Sequence, residues 1–78
     1  MRQKEERLII AFRSTHDAIG FEEAAVKAGA KGRLIPLPKE ISAGCGLSWS
    51  APPDEKEALA AVLEQAGIEA QEMRVCLV

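Results

Sequence analysis

The stretch RLIIAF, residues 7–12, predicts a β-strand that is buried on both of its faces. It is rich in isoleucine and leucine, and after the leading arginine it contains no polar residue. Because alternate side chains of a strand point to opposite faces, both faces are apolar: Leu8, Ile10 and Phe12 form one, and Ile9 and Ala11 the other. A strand of this kind belongs in the interior of a sheet and needs cover on both sides.

The residues that follow predict a first helix. Ser14 or Thr15 can cap its first turn, where Asp17 suits the positive end of the helix dipole. The helix runs to Gly29, the residue type that helices favour at their C-terminal cap.

A second helix is predicted between Pro52 and Gly67. Pro52, Pro53 and Asp54 open it, and Asp54 and Glu57 have the spacing of a capping box. Apolar residues at i, i+3, i+4 and i+7 form the clearest amphipathic stripe of the chain: Leu59, Val62, Leu63 and Ala66.

Three more strands complete the predicted elements, over residues 32–38, 46–50 and 68–78. Pro36 lacks a backbone donor, so the first of them should be an edge strand. In the second, Leu47 and Trp49 alternate with small residues, which predicts one buried face.

The order β-α-β-β-α-β is that of a ferredoxin-like plait, an α+β fold. We expect a four-stranded antiparallel sheet in the order 4-1-3-2 with both helices on one face. Residues 8–78 would form this single domain, after a charged lead-in over residues 1–7. The second face of the sheet would be bare, and we expect a homodimer through this open sheet face to cover it, with a partner protein or the lead-in as alternatives.

In this topology the tripeptide Gly44-Cys45-Gly46 lies in the loop between the second and third strands. That loop is at the same end of the sheet as the turn into the first helix. Cations and the helix N-terminus at this end would lower the pKa of the Cys45 thiol, and His16 can accept its proton. The flanking glycines permit unusual backbone angles and leave room for a partner. The predicted environment comprises Arg13, Ser14, Thr15, His16, Lys39, Gly44 and Gly46.

An alternative interpretation weighs almost equally: a glycine-rich hairpin in which Cys45 is a small filler. Cys76 lies among apolar residues of the last strand, far from Cys45, and is interpreted as a strand filler. One histidine and two distant cysteines cannot form a closed zinc site in one chain, so neither a metal nor a cofactor is expected.

Composition disfavours several classes of partner. A net charge of −2 means that the chain has no excess of positive charge with which to bind nucleic acid or an anionic membrane. Its three aromatic residues offer little surface for base stacking. The N-terminal residues have neither the apolar stretch nor the cleavage site of a signal peptide, so a cytoplasmic protein is expected.

Three segments of the chain resemble the selenium/sulfur (Se/S) carrier protein-like family of bacteria. They are STHDA at residues 14–18, RLIPLPKEISAGCGLSW at 33–49 and EQAGIE at 64–69. The resemblance spans roughly residues 8–72, and its most specific part runs from Pro38 to Leu47. It implies a cysteine that carries sulfur or selenium as a persulfide or perselenide, a role that falls on Cys45. Copper chaperones share the plait but place Cys-x-x-Cys in the first loop, which here lacks cysteine.

Two functions from different classes follow. In the first, Cys45 receives a sulfur or selenium atom from a donor protein and passes it to an acceptor protein, without turnover of a substrate. In the second, the chain is a ligand-binding or regulatory dimerisation module in which Cys45 is incidental. A thiol-dependent transferase is a weaker third possibility, because no group that would orient a Cys–His pair can be named.

Overall fold

The structure, a computed structural model, describes residues 5–39, 41 and 46–77. Its sheet is antiparallel and four-stranded, in the order β2-β3-β1-β4. This is the predicted order read from the other edge, so the α+β architecture and the edge position of the Pro36 strand are confirmed. The elements are β1 Glu6–Ala11, α1 Thr15–Ala28, β2 Arg33–Pro36, β3 Leu47–Ala51, a 3-10 turn Pro53–Glu55, α2 Lys56–Ala66 and β4 Glu72–Leu77.

Strand β1 is the centre of the molecule, paired with β3 on one side and β4 on the other. Five consecutive residues, from Leu8 to Phe12, are fully buried. The predicted alternation is confirmed: Leu8, Ile10 and Phe12 join the core beneath the helices, whereas Ile9 and Ala11 join a second cluster on the opposite face.

The core on the helix side contains a row of three aromatic rings. The ring of Phe21, on α1, lies with its centroid 5.3 Å from that of Phe12 and 5.3 Å from that of Trp49. The contact with Trp49 is edge-to-face, an arrangement that aromatic rings favour. Residues of α2 complete the packing on this side: Leu59, Val62 and Leu63.

The indole of Trp49 is held by the segment that leads into β2. Its Nε1–H donates to the carbonyl of Lys31 at 3.2 Å, and the residue is 2% exposed. Gly32 lies directly against the ring with φ of 120°, a conformation that side chains rarely adopt. A Cβ there would collide with the indole and with the carbonyl oxygen of Ser50. Trp49 is therefore a core residue.

The helix ends follow the sequence at α1 and depart from it at α2. Ser14 caps α1, and Gly29 ends it with a left-handed φ of 72°. The predicted capping box of Asp54 and Glu57 is wrong, because the N-cap of α2 is Glu55, whose side chain makes no capping bond. Asp54 lies instead inside the 3-10 turn, which a backbone hydrogen bond from Glu55 N to the carbonyl of Pro52 closes at 3.0 Å.

The predicted limits of two strands also change. β1 begins at Glu6, inside the predicted lead-in, whose first four residues lie outside the described part. β4 begins only at Glu72, because the residues that precede it form a loop. Two side chains of that loop, Ile68 and Ala70, still pack against the core.

The face of the sheet opposite the helices is not bare, so that expectation is wrong. Ile41, from the connection between β2 and β3, is 4% exposed and packs with Ile9 and Ala11. Partly buried side chains surround this group, which we call the open-face cluster: Ile35, Leu37 and Cys76. The chain itself thus covers both faces of its central strand.

Gly32→Ala should lower the free energy of unfolding by more than about 2 kcal/mol, since backbone strain and a steric collision add together. Gly29→Ala is the control, because its φ is 72° but nothing lies within 4 Å of the added Cβ. It should cost about 1–2 kcal/mol from strain alone. Urea unfolding compares them, and equal losses would contradict the close packing of Gly32 on Trp49.

Ile41→Ala should lower the free energy of unfolding by about 2–5 kcal/mol, because it removes the side chain that covers Ile9 and Ala11. Ile19→Ala on α1 is the control, since that side chain is 47% exposed and should cost less than about 1 kcal/mol. Equal unfolding midpoints for Ile41→Ala and the wild-type protein would show that this face has no cover from its own chain.

Candidate functional site

Strand register defines the end of the sheet at which the candidate site lies. Ser48, near the start of β3, is paired with Ala11 at the end of β1 and with Ile35 near the end of β2. The turn into α1 and the connection between β2 and β3 therefore lie at the same end, as the topology predicted. Leu37 N–H donates to the carbonyl of Gly46 at 2.9 Å and ties the two ends of that connection together.

Cys45 and Gly44 lie outside the described residues, so their predicted roles stay predictions. The other six predicted site residues are described, and all of them are exposed: Arg13, Ser14, Thr15, His16, Lys39 and Gly46. The described residues contain no group of three or more His, Cys, Asp or Glu side chains placed to hold a metal ion.

The hydroxyl of Ser14 serves the helix. Its oxygen accepts a hydrogen bond from the N–H of Asp17 at 3.2 Å, and its carbonyl accepts from the N–H of Ala18 at 3.1 Å. These are the interactions of an N-cap residue, and they satisfy donors at the start of α1. His16 follows in the first turn, where its side chain is exposed.

The described residues of the connection between β2 and β3 pack on one face of the sheet. Helix α1 packs on the other face. Leu37 and Ile41 pack in the open-face cluster, whereas α1 packs on the other face against Phe12. The two loops share one end of the sheet, but the buried apolar side chains of the connection lie on the side away from α1. The position of Cys45 relative to the start of α1 stays a prediction.

Two serines of β3, Ser48 and Ser50, lie buried on the open face. Strand β3 is thus buried on both faces, and the prediction of one buried face is wrong. Ser50 is 5% exposed and its Oγ accepts a hydrogen bond from Arg7 Nε at 3.0 Å. Ser48 is fully buried, and its Oγ has no hydrogen-bond partner in the described part of the chain. A buried hydroxyl without a partner costs about 1–3 kcal/mol, so its presence calls for an explanation.

Ser48 is not among the site residues predicted from the sequence. Its signal was available, because the stretch LSWSA places hydroxyls at alternate positions of a strand whose neighbour β1 is apolar on both faces. Small polar residues on a strand are usually interpreted as its solvent face. Only the position of Ile41 shows that this face is covered.

Gly46 is open to its surroundings. Among the described residues, nothing lies within 4 Å of a Cβ added there.

Cys76 lies at the other end of the sheet. On β4 it is paired with Arg7, near the start of β1, and it packs partly buried against the open-face cluster. This position suits the filler role that its apolar neighbours predicted.

Comparison with known proteins identifies the family. Searches of curated proteins and of solved structures find no match. A family model described as "Putative Se/S carrier protein-like" matches residues 7–74, which include both loops of the candidate site. The chain belongs to the Se/S carrier protein-like family.

Proposed function

We propose that this protein carries sulfur or selenium, with Cys45 as the thiol that holds the atom. Family membership over residues 7–74 is the observation that supports the proposal most strongly. The glycines on both sides of Cys45 are consistent with it, because small neighbours leave room for a donor protein to bring its own sulfur to within bonding distance of the Cys45 sulfur.

The proposed loading step is an exchange between a thiolate and a persulfide. The Cys45 thiolate attacks the outer sulfur of a donor persulfide, R–S–SH. A new S–S bond forms to Cys45, the old S–S bond breaks, and the donor leaves as the thiolate R–S⁻. The proton stays on the transferred sulfur until it ionises, and no net oxidation occurs. A donor R–S–SeH delivers selenium by the same exchange.

Cations at this end of the sheet would stabilise the loaded anion. Arg13 and Lys39 are exposed there, and His16 can accept the proton of the thiol before attack. Delivery to an acceptor reverses the same exchange. The protein would therefore act as a carrier between a donor protein and an acceptor protein, rather than as an enzyme with its own turnover.

A ligand-binding or regulatory module is the second candidate function. A protein with this function would bind a small ligand in the loops at the Gly46 end of the sheet. A cleft of about 410 Å³ does occur on α2, lined by Ala61, Glu64 and Gln65, but these residues are not part of those loops. A ligand that raises Tm equally in the wild-type protein and in Cys45→Ser would favour this second function.

Assembly and location complete the proposal. Neither helix of the described chain has the length and apolar character to cross a membrane. We propose that the protein is cytoplasmic, because free thiols persist in that compartment.

A homodimer through the open sheet face stays a prediction, although Ile41 already covers the centre of that face. Sedimentation at rising protein concentration tests it.

Cys45 should alkylate at least tenfold faster than Cys76 in the native protein near neutral pH. The predicted loop position of Cys45 between two glycines would give a reagent access, whereas Cys76 packs against the open-face cluster. Peptide mapping after a short exposure to iodoacetamide measures both rates, and the denatured protein is the control. Native protection of Cys45 would contradict its role as an accessible thiol.

Exposure of the reduced protein to glutathione persulfide should add the mass of one sulfur atom. Cys45→Ser should abolish this gain and Cys76→Ser should retain it, because only Cys45 is assigned the carrying role. Intact-mass spectrometry under non-reducing conditions provides the measurement. A gain that survives in Cys45→Ser would show that the assignment is wrong.

A further inference from the structure

We propose that the outer edge of β4 is a docking surface for a second copy of this chain. The two β4 strands pair antiparallel about a two-fold axis at Val75 and join the two sheets into one. This surface is an edge of the sheet and is distinct from the open sheet face. The docking would occur whether or not Cys45 carries sulfur.

The two edges of the sheet differ in how well they resist pairing with another strand. The edge strand β2 has four residues and ends at Pro36, which lacks a backbone donor. The next N–H, that of Leu37, is bonded to the carbonyl of Gly46. Strand β4 has six residues and no proline, and within the described chain it is the last strand on its side of the sheet. β4 is therefore the edge to which another strand can add.

Apolar side chains are exposed beside this edge. Met73, Val75 and Leu77 alternate on the face of the sheet that the helices cover, since Met73 and Val75 are paired with Ile10 and Leu8 of β1. Met73 packs against the core, but Val75 is 45% exposed and Leu77 is 57% exposed. Exposed apolar side chains along a free edge are typical of a site at which a second strand binds.

The sequence of β4 is complementary to itself. In an antiparallel pair, residues that lie opposite each other have their side chains on the same face. Pairing about Val75 places Val75 opposite its own copy, and it places Met73 of each chain opposite Leu77 of the other. Both exposed side chains thereby gain an apolar neighbour, and cross-strand pairs of this kind stabilise a sheet.

The charges of β4 also favour an identical partner. Its two charged side chains, Glu72 and Arg74, form an ion pair with each other at 3.1 Å. The strand therefore has no net charge, so a second copy of it is not repelled. Pairing about Val75 places Arg74 opposite Cys76 of the copy, whereas an axis at Arg74 would place two arginines opposite each other. This difference selects the axis at Val75.

The symmetry of this pairing closes the assembly at two chains. A two-fold axis uses the same edge of both copies, so both β4 edges are covered at once. The outer edges that remain are the two β2 strands, each with its Pro36. The product is a dimer and not a filament. Because a single pair of strands buries little surface, we expect a weak dimer with a Kd in the micromolar range.

Sedimentation equilibrium of the full chain, with reductant present, measures this Kd. Val75→Lys should raise it at least about tenfold, because the variant loses the central apolar pair and places two ammonium groups opposite each other. Val26→Lys is the matched control, since Val26 is an exposed valine of α1 and should leave the Kd unchanged. Circular dichroism checks that both variants are folded.

Disulfide trapping tests the register. In a chain that carries Cys45→Ser and Cys76→Ser, Val75→Cys should give a disulfide-linked dimer with oxidised glutathione. Opposed residues of an antiparallel pair have Cα atoms about 4.5–5.5 Å apart, a distance that a disulfide spans. Leu77→Cys is the control, because it lies on the same face but its own copy is four residues further along, about 13 Å away. It should cross-link at least about tenfold more slowly.

Three results would overturn the proposal. The first is a wild-type chain that stays monomeric at high micromolar concentration. The second is a dimer that Val75→Lys does not weaken, because its interface would then lie elsewhere, as in a dimer through the open sheet face. The third is a Leu77→Cys chain that cross-links as fast as Val75→Cys, which would contradict the axis at Val75.

Discussion

The burial of β1 on both faces is the constraint on which the rest of this structure depends. Five consecutive apolar residues, from Leu8 to Phe12, are fully buried in the centre of the sheet. Two helices cover one face, as the plait topology requires. On the other face, the connection between β2 and β3 supplies cover through Ile41.

This second cover has consequences for the candidate site. A connection that must place Ile41 over Ile9 and Ala11 approaches the sheet on the face away from α1. Ile41 thus holds one point of this connection against the open face, whereas Cys45 lies outside the described residues. The same face holds the Ser48 hydroxyl, which is buried and has no hydrogen-bond partner in the described residues.

Much of the fold could be predicted because its signals are local. The apolar run of β1, the capping serine of α1, the proline of the edge strand and the terminal glycines each act within a few residues. The cover of the open face could not be predicted, because Ile41 is a single apolar residue among polar and small ones and its position depends on a distant strand. Ser48 was missed for the same reason: its burial is a property of the packed face and not of its own strand. The capping box failed because two prolines impose a 3-10 turn ahead of α2.

The central claim is that Cys45 carries the atom. The most direct test isolates the wild-type protein from its own cells without reductant and locates any added sulfur or selenium by top-down fragmentation. The proposed function predicts a fraction of molecules with one added atom, confined to fragments that contain Cys45. An added atom on fragments with Cys76 alone, or none in protein from cells supplied with abundant sulfur and selenium, would contradict it.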